Sequence, residues 1–386
     1  MSVTAPQGFR AAGIAAGLKD GERPDLALVV NDGPGTAAAG MFTTNQVQAA
    51  PVLWSRQILE GGALRAVVLN SGGANACTGP DGFQTTHATA EKAAELLGCG
   101  AVEIAVCSTG IIGEQLPRPV VLAGVEKAAA GLAATPDAGA AAATAVLTTD
   151  THAKQALTVD PSGFSVGGFA KGAGMLAPNM ATMLVVLTTD AAADAATCGK
   201  ALRTAVGQTF NRLDVDGGTS TNDTVLLLAS GASGVGATVD QLAAAVTATC
   251  ADLCRQLQAD AEGATKHVTV AVSGARSEAD ALTVAHTVSQ DNLCKTAFFG
   301  SDPNWGRIAM AVGRSAAEVA ADHLSITING VPMCRDGVAA GDRHGADLSG
   351  VDVLVEIDLG LGDGSAEVLT TDLSHAYVEE NSAYSS

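Results

Sequence analysis

Apolar residues fall along this chain in short runs separated by turn-forming residues, a pattern that predicts strands, with Met183 to Leu187 read as a buried one. Such runs cover Leu26 to Val30, Ala38 to Thr43, Ala66 to Asn70, Glu103 to Cys107, Ala156 to Val159, Phe164 to Phe169, Met183 to Leu187 and Thr224 to Leu228. Between them, alanine-rich stretches predict helices at Glu91 to Leu97, Val120 to Leu132, Ala138 to Val146 and Ala191 to Phe210, since alanine has the best helix propensity. Val239 to Glu262 is the longest amphipathic stretch. The last third alternates strands (His267 to Val272, His323 to Ile328, Val353 to Asp358, Ala366 to Thr370) with helices near Ser277 to Ser289 and Trp305 to Val319. It reads as a smaller α+β subdomain at about 267–386, and the whole chain as mixed α and β. The closing EENSAYSS is polar and expected to fray.

Size and composition narrow the picture. A chain of 386 residues suits two lobes, or one large layered domain with an appendage. Apolar content of 47% with only 3% aromatics means a core of Ala, Val, Leu and Ile, whose small side chains let elements approach closely. The 45 glycines are spread out and mark turns, not a linker. A formal charge of −19 argues against binding nucleic-acid backbones or anionic membranes and leaves small molecules as the expected partners. No signal-peptide pattern opens the chain and no apolar run approaches the ~20 residues that span a bilayer, so a cytoplasmic location is expected. The eight cysteines lack close paired spacing and fit reduced thiols. Cys250 and Cys254 are one helical turn apart, but nothing completes a metal site. Asp214, Asp216, Asn222 and Asp223 lack the spacing and terminal glutamate of a calcium loop. No histidine stands at readable spacing from a serine or cysteine nucleophile.

Candidate chemistry gathers around Lys171 to Asp190, KGAGMLAPNMATMLVVLTTD. Two glycines and Pro178 lead into Ala181-Thr182, at the mouth of an apolar strand. Thr182 reads either as an ordinary strand-starting threonine or as a hydroxyl presented for chemistry. The strand ending in Ser108-Thr109-Gly110 sets a hydroxyl beside a backbone N–H, the parts of an oxyanion hole or of an ordinary turn. SGGANACTG after Asn70 is a loop outside the known phosphate-binding spacings. Thr148, Thr149, Asp150 and Thr151 form a polar cluster or a simple helix end. Lys171 is a solvated strand-end charge or a cation for a carboxylate. Glu262, near the unfavourable end of a helix dipole, needs a partner: Lys266 or a ligand.

KGAGMLAPNMATML resembles the self-processing site of the ornithine acetyltransferases, also called glutamate N-acetyltransferases, and STGIIG, DAEGATK, GGTSTNDT and SDPNWGR match that family as well. The resemblance spans the chain. It implies an α+β fold of four α/β/β/α layers and cleavage between Ala181 and Thr182, giving chains of 1–181 and 182–386 paired as α2β2. It further implies Thr182 as nucleophile and acyl carrier, and Thr109 and Gly110 as the oxyanion hole. Thr149, Lys171, Thr182, Glu262, Asn381 and the terminal Ser386 are the implied substrate contacts, with no metal or cofactor. The implied reaction moves acetyl from N2-acetyl-L-ornithine to L-glutamate in arginine biosynthesis. Family members differ in whether acetyl-CoA also serves as donor. Two other readings use the same residues: an N-terminal-threonine amidase or aminopeptidase in which water is the acceptor, and an unprocessed binding protein.

Overall fold

The computed structural model describes residues 2–176, 183–342 and 344–383, and its contacts divide the chain into two compact units. The first takes in 2–175, 183–210 and 218–257 of the described residues. In chain order it contains β1 (Phe9–Ile14), β2 (Leu26–Asn31), β3 (Ala38–Phe42), α1 (Ala50–Ile58), β4 (Ala66–Asn70), α2 (Gly79–Leu97), β5 (Ile104–Ser108), α3 (Arg118–Ala130), α4 (Pro136–Ala145), β6 (Lys154–Val159), β7 (Ser165–Lys171), β8 (Leu184–Thr189), α5 (Ala195–Gln208), β9 (Thr224–Ala229) and α6 (Val239–Ala259).

These strands form two sheets, in the orders β1-β2-β4-β5 and β3-β9-β8-β7-β6. Strands β2, β4, β5, β8 and β9 are buried at every position, as expected when a sheet is covered on both faces. One core joins the sheets, with Leu26, Val29 and Val67 from the first against Phe169, Val186 and Leu226 from the second. Helices α1 to α4 pack on the first sheet and α5 on the second. On α6, Thr249 Oγ1 donates to the Val166 carbonyl of β7 at 3.3 Å. The four layers are therefore α/β/β/α. Small residues permit the close spacing: a Cβ on Gly13 of β1 would lie 2.0 Å from the Ala141 carbonyl oxygen of α4.

The second unit takes in 176, 211–217, 258–342 and 344–383 of the described residues. It holds β10 (His267–Ala275), α7 (Glu278–Ser289), α8 (Asn292–Phe299), α9 (Trp305–Gly313), β11 (Ser325–Ile328), β12 (Val331–Arg335), β13 (Val338–Ala339), β14 (Asp352–Asp358), β15 (Gly364–Thr371) and α10 (His375–Ala383). The sheet order is β13-β12-β11-β14-β10-β15. Burial alternates along β14, and the inward side chains Val353, Val355 and Ile357 share a core with Val284, Phe298 and Ile308 of the helices.

Several elements depart from their expected bounds. The helix expected at Glu91 begins at Gly79. Its weak helix formers are carried by a buried face, and the hydroxyls of Thr85, Thr86 and Thr89 return to carbonyls four residues back. The helix expected to reach Val319 stops at Gly313, and α6 stops at Ala259 rather than Glu262. The polar tail is helical through Ala383, entered by a hydrogen bond of 3.0 Å from the Tyr377 amide to Ser374 Oγ.

Candidate active site

Strand register in the first unit decides which polar residues meet. Antiparallel pairing sets Lys171 opposite Leu184, and parallel pairing sets Leu184 beside Thr224. Lys171, Met183 and Asp223 therefore stand at one end of the second sheet. In the first sheet, β4 and β5 run parallel with Asn70 beside Ser108, so Thr109 and Gly110 follow directly from the strand end. That turn is fixed on several sides: Thr109 N–H donates to Asn70 O at 3.0 Å, Gly73 N–H to Thr109 O at 3.1 Å, and Asn222 Nδ2 to Ser108 O at 2.8 Å. Gly110 has φ +132°, and a Cβ there would sit 2.8 Å from the Gly73 backbone. Only glycine fits.

Lys171 is 1% exposed, which rules out a solvated charge. Its ammonium donates to Thr148 Oγ1 at 2.9 Å and to Thr109 Oγ1 at 3.3 Å, and lies 3.9 Å from Asp150 Oδ2. With Oγ1 of Thr109 accepting from the lysine, the hydroxyl proton is left to point elsewhere. Among the described residues, the Gly110 N–H has no hydrogen-bond partner. A donating hydroxyl and a free backbone N–H thus stand side by side on a rigid turn, an arrangement suited to a developing oxyanion. Thr149 is next to this group and partly exposed. Ala181 and Thr182 lie outside the described residues, as does Ser386.

Two buried carboxyls frame the lysine, and their environments separate them. Asp150 accepts from Lys154 Nζ at 2.7 Å, from the Gly172 N–H at 2.6 Å and from the Thr148 N–H at 3.1 Å. Burial pushes its pKa up, but Lys171, Lys154 and these hydrogen bonds outweigh that and lower it to about 2. Asp223 is 0% exposed; its Oδ1 accepts from the Met183 N–H at 3.0 Å, and its Oδ2 has no hydrogen-bond partner among the described residues. Burial raises its pKa well above the carboxylate range, and the Met183 N–H and nearby Lys171 only partly counter this. The two environments therefore push in opposite directions, holding Asp150 in the anionic form and shifting Asp223 toward the protonated acid.

The ArgJ family model matches residues 10–386. The chain belongs to the ArgJ family. The arginine biosynthesis bifunctional protein ArgJ of Mycolicibacterium paratuberculosis is 58% identical over 100% of this chain and 96% of its own length. That of Streptomyces avermitilis is 56% identical over 100% of both chains. A solved ornithine acetyltransferase from Mycobacterium tuberculosis, complexed with ornithine, is 57% identical, covering 46% of this chain and 94% of that chain at a TM-score of 0.45. ArgJ membership makes the protein an acyltransferase.

In the second unit of this ArgJ chain, Glu262 lies in the turn after α6, and Asn381 Nδ2 donates to its Oε2 at 2.9 Å. The expected alternative, an ion pair with Lys266, is replaced: the Lys266 ammonium donates to the carbonyls of Leu348, Ser349 and Gly350 at 2.7, 3.3 and 2.8 Å. Thr148, Asp150 and Lys154 around Lys171 were not separable in the sequence from a polar helix end. The one available signal was a carboxylate four residues ahead of a lysine opening an apolar strand. Asp223 carried less signal, being one of several acidic residues in a polar loop.

Proposed function

We propose that the protein is a glutamate N-acetyltransferase of arginine biosynthesis that carries acetyl on Thr182 after self-cleavage before that residue. The observation that carries the reading is the oxyanion-ready turn at Thr109 and Gly110, bound to buried Lys171 at the sheet end from which β8 starts. The ArgJ match over nearly the whole chain supports it. In the precursor, the Thr182 hydroxyl attacks the Ala181 carbonyl, the C–N bond breaks with its nitrogen taking the proton, and water hydrolyses the resulting ester. This frees an α-amine with an ordinary pKa of roughly 8 on the residue that bears the hydroxyl. That amine takes the hydroxyl proton as Thr182 attacks the acetyl carbonyl of N2-acetyl-L-ornithine. Thr109 and Gly110 donate to the oxyanion, and ornithine leaves with the proton. The amine of L-glutamate then attacks the acetyl ester, the threonine oxygen recovers a proton, and N-acetylglutamate departs.

On this reading Lys171 holds a substrate carboxylate, and Thr149, Glu262, Asn381 and Ser386 contact substrate as the family resemblance implies. The chains 1–181 and 182–386 remain associated as α2β2 in the cytoplasm. A denaturing gel of purified protein tests the cleavage. Two bands of about 18 and 20 kDa are expected from the 38.2 kDa chain, the larger opening at Thr182, and Thr182→Val leaves one band without turnover. A single wild-type band with full activity would overturn the reading. Product analysis with and without glutamate separates acetyl transfer from hydrolysis, and acetyl-CoA offered with glutamate shows whether it is a second donor.

A further inference from the structure

Asp223 has no part in the steps above, yet it is the buried group closest in the backbone network to the residue that follows the nucleophile. Residue 183 is held at both polar atoms. Its N–H donates to Asp223 Oδ1 at 3.0 Å, and its carbonyl accepts from the Thr224 N–H at 3.0 Å. The Met183 nitrogen is the amide nitrogen of the planar peptide bond to residue 182, so the clamp acts on the atom covalently next to that residue. The Asp223 backbone is tied in turn: its carbonyl accepts from the Thr43 N–H at 3.0 Å, and Asn222 beside it donates to Ala74 O and Ser108 O at 2.6 and 2.8 Å. One short segment thus touches both Met183, just before β8, and the turn at Thr109 and Gly110. A buried carboxyl oxygen without a partner, as Oδ2 is, is rare in a folded core and calls for an explanation.

We infer that Asp223 is a positioning residue for cleavage and acetyl transfer, its buried carboxyl holding the Met183 N–H, the backbone donor of the residue that follows Thr182 in the chain. This rests on Thr182 being the acyl carrier. The groups that face the carboxyl are the N–H of Met183 just before β8, the ammonium of Lys171 from β7, the Thr43 hydroxyl beyond β3 and the Ser220 backbone. Behind Lys171 stands the anionic Asp150. Uncharged, the Asp223 carboxyl supplies the acceptor that the Met183 N–H needs without adding a second anion near Lys171. Ionised, it competes for the lysine's field and repels the oxyanion that Thr109 and Gly110 are set to receive.

The experiment compares full-length wild type, Asp223→Ala and Asp223→Asn for cleavage rate, KM, kcat and the pH dependence of kcat. Alanine removes the acceptor and leaves a buried N–H unpaired. Cleavage and kcat are expected to fall by about 10-fold or more with KM within about twofold. Asparagine keeps an acceptor oxygen of the same reach and cannot ionise. It is expected to recover most of the cleavage and kcat at unchanged KM and to flatten the alkaline limb expected of wild type if Asp223 gives up its proton, a change that a merely structural role would not produce. An alkaline limb identical in wild type and Asp223→Asn would overturn the proposal, as would wild-type rates in Asp223→Ala. Should the alanine variant fail to fold, the asparagine profile decides alone. If wild type is uncut, or Thr182→Val keeps turnover, the acyl-carrier reading fails and takes this proposal with it; if both controls behave as expected, a negative result falls on Asp223 alone.

Discussion

At Lys171, a charged side chain has been drawn out of water and surrounded by hydroxyls and a carboxylate. Ionised lysines are rarely buried unless paired, so the cost is met by Thr148, Thr109 and Asp150. Lys171→Met is expected to lower kcat/KM by roughly 10- to 100-fold, the equivalent of the ~1.5–3 kcal/mol of a charge-assisted hydrogen bond, mostly through KM. An unchanged KM would remove it from substrate binding. If Thr109 and Gly110 form the proposed oxyanion hole, Thr109→Ala removes one donor while Gly110 keeps its own, and kcat should drop by about 100- to 1000-fold with little change in KM. The sequence offered both residues as candidates but could not exclude the plain alternatives, because exposure distinguishes a solvated lysine from a buried one and exposure is not a local property.

Among the elements, the segment joining α4 to β6 does more than connect. Asp150 ties Lys154 at the start of β6 to the Gly172 N–H just past β7, so the hairpin of β6 and β7 is closed by one buried anion. Asp150→Asn leaves two buried lysines short of a counter-charge and is expected to lower stability by about 3–5 kcal/mol at pH 7, read by urea unfolding. The pH dependence has a definite sign. The folded pKa of about 2 lies below the unfolded value near 3.9. The stabilisation is therefore complete above about pH 4 and is lost as the pH falls towards 2, where wild type and variant converge. Buried strands such as β8 and β9 were legible because runs of Val and Leu carry their own signal. The first turns of α2 and the tail helix α10 were not, since threonine, glycine and polar residues become helical there only through what they touch.

At the scale of the whole molecule, each unit carries a core of its own among the described residues. The core of the second unit is built from Val268, Val355, Ile357 and Phe298 and shares no residue with the core of the layered unit. Truncating Ile357→Ala, 1% exposed in β14, should cost about 2–5 kcal/mol. Calorimetry should show the loss, while the cleavage proposed before Thr182 is preserved. Among the described residues, no helix is long and apolar enough to cross a membrane.

The sequence by itself determined the strand content, the alanine-based core, the family and the candidate chemistry, since each is written in neighbouring residues: apolar runs, helix-forming stretches and contiguous motifs. Tertiary structure decided the charge states and the company each group keeps. Asp150 and Asp223 are chemically identical side chains pushed in opposite directions: despite burial, Lys171, Lys154 and backbone N–H groups draw the first toward the anion, while burial, only partly countered by the Met183 N–H, Lys171, Ser220 and Thr43, pushes the second toward the acid. That difference comes from sheet register, which brings residues 70, 109, 171, 183 and 223 to one end of the fold across long stretches of chain.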